Sequence, residues 1–135
     1  MASVDDVIQD YMTGGPYAVV GATSNRDKYG NMVLRAYQQL GHEVYPVNPR
    51  AGMIEGLKAY PDLASLPVKV RGVSIITPPS ITERVVEEAA AAGAQFVWMQ
   101  PGAESEKAVR TAESLGLKVI ANGPCYLVLA RFHWE

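Results

Sequence analysis

Three amphipathic stretches of this chain end in a glycine, Gly41, Gly93 and Gly116, and each glycine stands just before a short apolar run. Glycine is the preferred residue past a helix end because it adopts a left-handed backbone without penalty. The apolar runs at Glu43–Val47, Phe96–Met99 and Lys118–Ala121 therefore read as strands that follow helices. Two more, Tyr17–Gly21 and Val70–Thr77, precede helices. Strands this apolar, with helices between them, predict a parallel sheet covered on both faces. Right-handed crossovers then make the fold α/β, a single doubly wound parallel sheet with helices on both faces.

The intervening patterns agree with that frame. Ser3 and Asp6 open a short helix that ends near Thr13, where Gly14-Gly15-Pro16 breaks it. A second helix carries Met32, Val33, Ala36, Tyr37 and Leu40 on one face. Ser80 and Glu83 have the spacing of a capping box, which predicts a helix over Ile81–Ala92 with Val85, Val86 and Ala89 stacked. A helix over Ser105–Leu115 turns Ala108, Val109, Ala112 and Leu115 inward. Pro49–Pro67 is irregular, with a short strand near Lys58–Tyr60 and one helical turn near Asp62–Ser65. The tail from Asn122 to Glu135 is apolar in its middle and is expected to pack on the sheet.

At 135 residues the chain reads as one Rossmann-like domain over 1–135, with its core over 16–128. A net charge of −2 argues against a nucleic-acid partner held by a basic surface. The start, Met1-Ala2-Ser3-Val4-Asp5-Asp6, has no basic or apolar stretch of a signal peptide, and no run approaches the ~20 apolar residues of a membrane span. No membrane partner and a cytoplasmic location are expected.

In such a sheet, ligands lie beyond the carboxyl ends of the strands. Those ends deliver Ala22-Thr23-Ser24, then Pro46-Val47-Asn48-Pro49-Arg50, Thr77-Pro78-Pro79-Ser80, Gln100-Pro101-Gly102 and Asn122-Gly123-Pro124-Cys125. The prolines either end the strands or present flat apolar surface to a ring or a pantetheine chain. The first loop runs from Gly21 into a helix, so the N–H groups of residues 22–25 and a helix start converge as they do on phosphates. It lacks the Gly-x-Gly-x-x-Gly spacing and offers the Thr23 and Ser24 hydroxyls and the cations Arg26 and Lys28 instead. A cation at a helix start is unfavourable unless an anion joins it or the side chain swings into solvent. An NAD site wants an acid at the end of the second strand to accept from the ribose. This chain has Asn48 and Arg50 there, and no acid before Glu55. A phosphorylated ribose is favoured, which leaves NADP or coenzyme A, unless Arg50 is a solvated surface cation.

Taken together, the segments Val20–Ser24, Lys28-Tyr29-Gly30, Tyr45–Arg50, Gly56–Pro61, Ile76–Pro79, Trp98–Gly102 and Cys125 resemble the stand-alone coenzyme A-binding domain proteins. Those are similar to the N-terminal domain of the succinyl-CoA synthetase alpha subunit and of ADP-forming acyl-CoA synthetases. The resemblance covers about residues 14–128 and implies coenzyme A as the ligand. It implies that Gly21, Thr23, Ser24 and Lys28 hold the phosphates; the loop's own chemistry adds Ala22, through its N–H, and Arg26, through its charge, to the expected binding residues. Asn48, Pro49 and Arg50 would lie at the adenosine end, and Pro46, in the same strand-end segment, is expected among the binding residues. Thr77, Pro78 and Pro79 would line the groove, with Gln100 and Gly102 flanking the pantetheine. One segment departs from the pattern: the synthetase domains tend to read Gly-Pro-Asn-Cys where this chain has Asn122-Gly123-Pro124-Cys125.

A synthetase also needs a phosphorylated histidine and an ATP-binding domain. Here His42 reads as a turn residue opposite the ligand edge, and His133 lies near the chain end. No acid, histidine and cysteine cluster has metal spacing, and no Gly-x-Ser-x-Gly elbow occurs. Cys125 is the one potential nucleophile, either inert or able to pair with a coenzyme thiol. Tyr29 either bonds a ligand or staples its helix. The expectation is a coenzyme A- or acyl-CoA-binding module without catalysis of its own. Two alternatives remain: a small NADP-dependent oxidoreductase, or the detached coenzyme A-binding subunit of an acyl-CoA ligase.

Overall fold

A computed structural model describes residues 3–133. Met1 and Ala2 of the expected N-terminal segment, and Trp134 and Glu135 of the expected tail, lie outside the described residues.

Five strands form one parallel sheet: β1 (Tyr17–Val20), β2 (Val44–Val47), β5 (Gly72–Ile75), β6 (Phe96–Met99) and β7 (Lys118–Ile120), in the order β2-β1-β5-β6-β7. Between β2 and β5 a two-residue turn joins the short antiparallel strands β3 (Met53–Ile54) and β4 (Leu57–Lys58). A 3₁₀ turn at Leu63–Ser65 follows, capped by the Asp62 side chain, which accepts from the Ser65 N–H at 2.9 Å. The order reverses at β1: the chain leaves it for β2 on one side and returns to β5 on the other. That reversal opens a crevice at the carboxyl ends of β1 and β5, as expected for an open parallel sheet.

Side chains alternate along each strand, and both faces are buried. Tyr17, Val19, Phe96 and Trp98 face α1 (Val4–Met12), α2 (Tyr29–Gln39) and the short α5 (Tyr126–Leu129). Ala18, Val20, Val97 and Met99 face α3 (Pro79–Ala91) and α4 (Glu106–Ser114). Burial on both faces explains why the strands read as continuous apolar runs. The α1 side holds a cluster of aromatic rings. Tyr37 stacks on Tyr126 at 4.0 Å between ring centroids, and Trp98 meets Tyr126 edge-on at 5.4 Å. Three buried hydroxyls there satisfy one another: Tyr37 Oη lies 2.6 Å from Ser74 Oγ and also meets Tyr11 Oη.

Local expectations differ from the structure at several points. Ser3 and Asp6 do form a capping box on α1. Ser80 and Glu83 do not, because α3 starts at Pro79, two residues earlier than expected, and leaves Ser80 inside the helix. Proline suits that first position, since its missing N–H would have had no intrahelical partner. Glu83 instead accepts from Ser105 Oγ at 2.8 Å. Leu40 and Leu115 sit past the last turns of α2 and α4 and are 44% and 47% exposed, not inward. Leu34, one position off the expected stripe of α2, is fully buried. His42 is half-buried against the Tyr17 ring at 5.0 Å, and that burial lowers its pKa. The tail packs α5 against α2 as well as the sheet, and the Gln39 side chain bonds both the N–H and the C=O of His133.

Candidate functional site

The loop after β1 is built on two close approaches. Gly21 has φ +96°, and a Cβ there would lie 2.2 Å from the Ile76 carbonyl oxygen. Gly30, in the first turn of α2, brings that helix down on Gly21 so closely that a Cβ would stand 2.0 Å from the Gly21 oxygen. These two glycines aim the start of α2 at the crevice without the usual glycine triplet.

Within the loop, Thr23 Oγ1 accepts the Asn25 N–H at 3.2 Å, and Asn25 Oδ1 accepts the Asp27 N–H at 3.0 Å. The Asn25 N–H is thus spent inside the loop and is not part of an outward donor set. Among the described residues, the N–H groups of Thr23, Ser24, Arg26, Tyr29 and Gly30 have no protein acceptor. Thr23 keeps its hydroxyl hydrogen to donate, and Ser24 is exposed beside it. Lys28 is the N-cap of α2, exposed and without a side-chain cap bond. Arg26 pairs with Glu55 at 3.5 Å, so its charge is already partly met.

Two clefts flank the crevice and meet at Thr77. One, about 370 Å³, has Gly21, Ala22, Thr23, Asn48 and Pro49 on one side. Opposite them lie Leu63, Ile81, Val85 and the charged residues Arg84 and Glu88, with Asp62 also on the wall. The other, about 390 Å³, is lined by Tyr29, Thr77, Pro78, Pro101, Gly102 and Cys125, among others. Asn48 ties the cleft together, donating Nδ2 to the Ala22 oxygen and accepting the Arg50 N–H, each at 2.8 Å. Pro46 is buried within β2, and Pro79 is exposed at the start of α3. Arg50 is exposed and is not among the cleft-lining residues.

Gln100 is fully buried and does not open on the groove. Its Oε1 accepts the Tyr29 hydroxyl at 3.2 Å and the Tyr126 N–H at 2.9 Å, while Nε2 is buried with no partner among the described residues. It holds the start of α2 against the start of α5, with the groove above. Tyr29 also bonds Cys125 Sγ, and burial first, then that bond, raises its pKa. Tyr29 is accordingly tied within the protein while facing the groove. The Trp98 indole donates to the Pro124 oxygen at 3.0 Å and fixes the loop that bears Cys125.

Sequence reasoning missed Arg84 and Glu88. Their signal was helical spacing: both lie on the α3 face of Ile81 and Val85, which points at the cleft. It also missed Asn31 and Arg35, an i,i+4 pair buried under the loop, where Asn31 Nδ2 donates to the Thr23 oxygen at 2.9 Å. Among the described residues no group of three or more His, Cys, Asp or Glu side chains could hold a metal ion. No helix there is long and apolar enough to cross a membrane.

A family model described as a CoA binding domain matches residues 16–131. The chain is 31% identical over 103 residues to an uncharacterized protein of Bacillus subtilis, YneT, covering 76% of each. It is 30% identical over 116 residues to the alpha subunit of an ADP-forming acetate–CoA ligase II of Pyrococcus furiosus. That match spans 76% of this chain and only 25% of the ligase subunit. A solved structure of a hypothetical protein from Pyrococcus horikoshii superposes with a TM-score of 0.87 at 30% identity, covering 94% of this chain and 89% of that one.

Proposed function

This chain belongs to the CoA-binding domain family, and from that premise we propose that it holds coenzyme A as a single non-catalytic domain acting in the cytoplasm. The observation that carries the reading is the pair of clefts meeting at Thr77, with the loop of free N–H groups beside them. A nucleotide fits the cleft between Asn48-Pro49 and α3. Its pyrophosphate then meets Thr23, Ser24 and Lys28. The pantetheine runs on between Pro78 and Pro101-Gly102 toward Tyr29 and Cys125. Backbone donors and a helix start suit the pyrophosphate electrostatically. The largely apolar groove suits a pantetheine chain.

Coenzyme A at about a hundred times its Kd should stabilise the fold by about 2.7 kcal/mol. A melting scan should then show Tm rising by roughly 10 °C. Dephospho-coenzyme A should give a clearly smaller rise. Equal rises from the two would remove the ribose phosphate from the account, and no rise from either would end the reading.

Arg50 supplies the cation for that ribose phosphate, swinging in from the rim where its N–H is held by Asn48. Arg50→Ala should weaken coenzyme A binding by about 1–3 kcal/mol, the worth of a charge-assisted bond. The same variant should leave dephospho-coenzyme A unchanged in a calorimetric titration. If Arg84→Ala erases the preference instead, the phosphate lies against α3.

The match to a ligase alpha subunit favours one second reading, a detached subunit that works with an ATP-binding partner. Affinity purification from cells would return that partner in stoichiometric amount. Return of the chain alone would leave the stand-alone module.

A further inference from the structure

A linked set of polar residues lies beneath the loop. Asn31 is fully buried, and its Nδ2 donates both to the Thr23 oxygen at 2.9 Å and to Glu55 Oε2 at 3.0 Å. Its Oδ1 accepts from Arg35 Nε at 2.8 Å, and Arg35 Nη2 reaches the Arg26 oxygen at 3.3 Å. Glu55 in turn pairs with Arg26. Glu55 and Gly56, at φ 48° and 79°, make the turn between β3 and β4. Asn-Gly and Asp-Gly are the ordinary residues of such a turn, and a glutamate there is strained. Its longer side chain is the one that spans to Asn31 and Arg26. Gln38 holds the turn in place, donating Nε2 to the Glu55 oxygen at 3.1 Å.

We infer that Glu55 is an electrostatic brake on the loop, its carboxylate occupying the Arg26 guanidinium that an incoming phosphate would take. The inference rests on the reading of this loop as a phosphate cradle. The two partners differ in freedom. Glu55 is anchored by a buried asparagine and its side chain is 20% exposed, whereas the Arg26 side chain is 58% exposed. When an anion arrives, Arg26 can turn to it, but the carboxylate stays as a fixed negative charge beside the loop. Binding therefore works against Glu55. A ligand with two linked phosphates overcomes that repulsion more readily than one with a single phosphate.

Glu55→Gln removes the charge and keeps an oxygen for Asn31. Isothermal titration of the full chain with inorganic pyrophosphate and with coenzyme A tests the brake. Because the pair is partly exposed, the variant should bind each about two- to fivefold more tightly at low salt. The gain should shrink as salt rises, and most of it should vanish in an Arg26→Gln background. Glu55→Asp, which withdraws the carboxylate and suits the turn, should tighten binding too and serves if the glutamine variant does not fold. Unchanged or weaker binding by these variants overturns the inference. If the wild type binds pyrophosphate but not coenzyme A, the coenzyme reading falls while the brake is still measured. If neither ligand binds the wild type or the variants, both fall.

Discussion

Gly30→Ala should unfold this protein far more readily than its size of change suggests, lowering stability by about 3 kcal/mol or more. The new Cβ would meet the Gly21 oxygen at 2.0 Å, and that oxygen belongs to backbone which cannot rotate away. Gly21 is itself pinned, since its own Cβ position faces the Ile76 oxygen at 2.2 Å. The start of α2 must therefore lift off β1, and the loop donors lose their common aim. Tm should fall by roughly 12 °C, at about 4 °C per kcal/mol for a domain of this size. Coenzyme A should no longer shift it. Gly14→Ala is the control: nothing lies within 4 Å of its Cβ position, and its melting should stay near that of the wild type. A Gly30→Ala protein that melts with the wild type would mean that α2 is not seated on Gly21.

Trp98→Ala should cost about 3–5 kcal/mol, the range for deleting a large buried aromatic side chain. Trp98 is fully buried, meets Tyr11 edge-on at 5.2 Å and Tyr126 at 5.4 Å, and bonds the Pro124 oxygen. Trp98→Phe keeps much of the packing and loses the indole donor, so about 1–2 kcal/mol is expected from the hydrogen bond alone. Urea unfolding followed by circular dichroism separates the two. The phenylalanine variant has a second use. It frees the Asn122–Cys125 loop from the sheet while the core stays filled, so weaker coenzyme A binding in a folded Trp98→Phe protein would tie that loop to the pantetheine groove. Unaltered binding would show that the loop does not need this anchor.

Much of the fold was readable without coordinates because burial on both faces leaves a one-dimensional record. Phe96–Met99 is apolar at every position since Phe96 and Trp98 face one layer while Val97 and Met99 face the other. Helix ends were readable from Gly41, Gly93 and Gly116, each at positive φ. Where sequence reasoning failed, two local rules competed. At Pro78-Pro79-Ser80 the capping-box spacing pointed to one helix start, and proline at the first helical position won. At Leu40 and Leu115 the helical period continued on paper past the point where the backbone had already left the helix.

The site divides along the same line. Residues on strand ends, such as Thr23, Asn48 and Thr77, which line the cleft, were legible because the crevice of an open parallel sheet lies at the carboxyl ends of its strands. Residues that reach the site from elsewhere were not. Gln100 looked like a groove residue by position, yet its amide points inward to Tyr29 and the Tyr126 N–H. Glu55 entered only as the first acid after the second strand, yet it joins Arg26 and Asn31.

Alternation, helix period and glycine placement determined the layered sheet, its carboxyl-end crevice and the loop that faces it, because each of these is set by neighbours within a few residues. Which side chains share that loop was decided only by tertiary packing. Asn31, Glu55 and Arg35 come together through the docking of α2 and the β3–β4 turn on the end of β1. Hydrogen bonds and ion pairs depend on distances of a few ångströms across the fold, which spacing along the chain does not record.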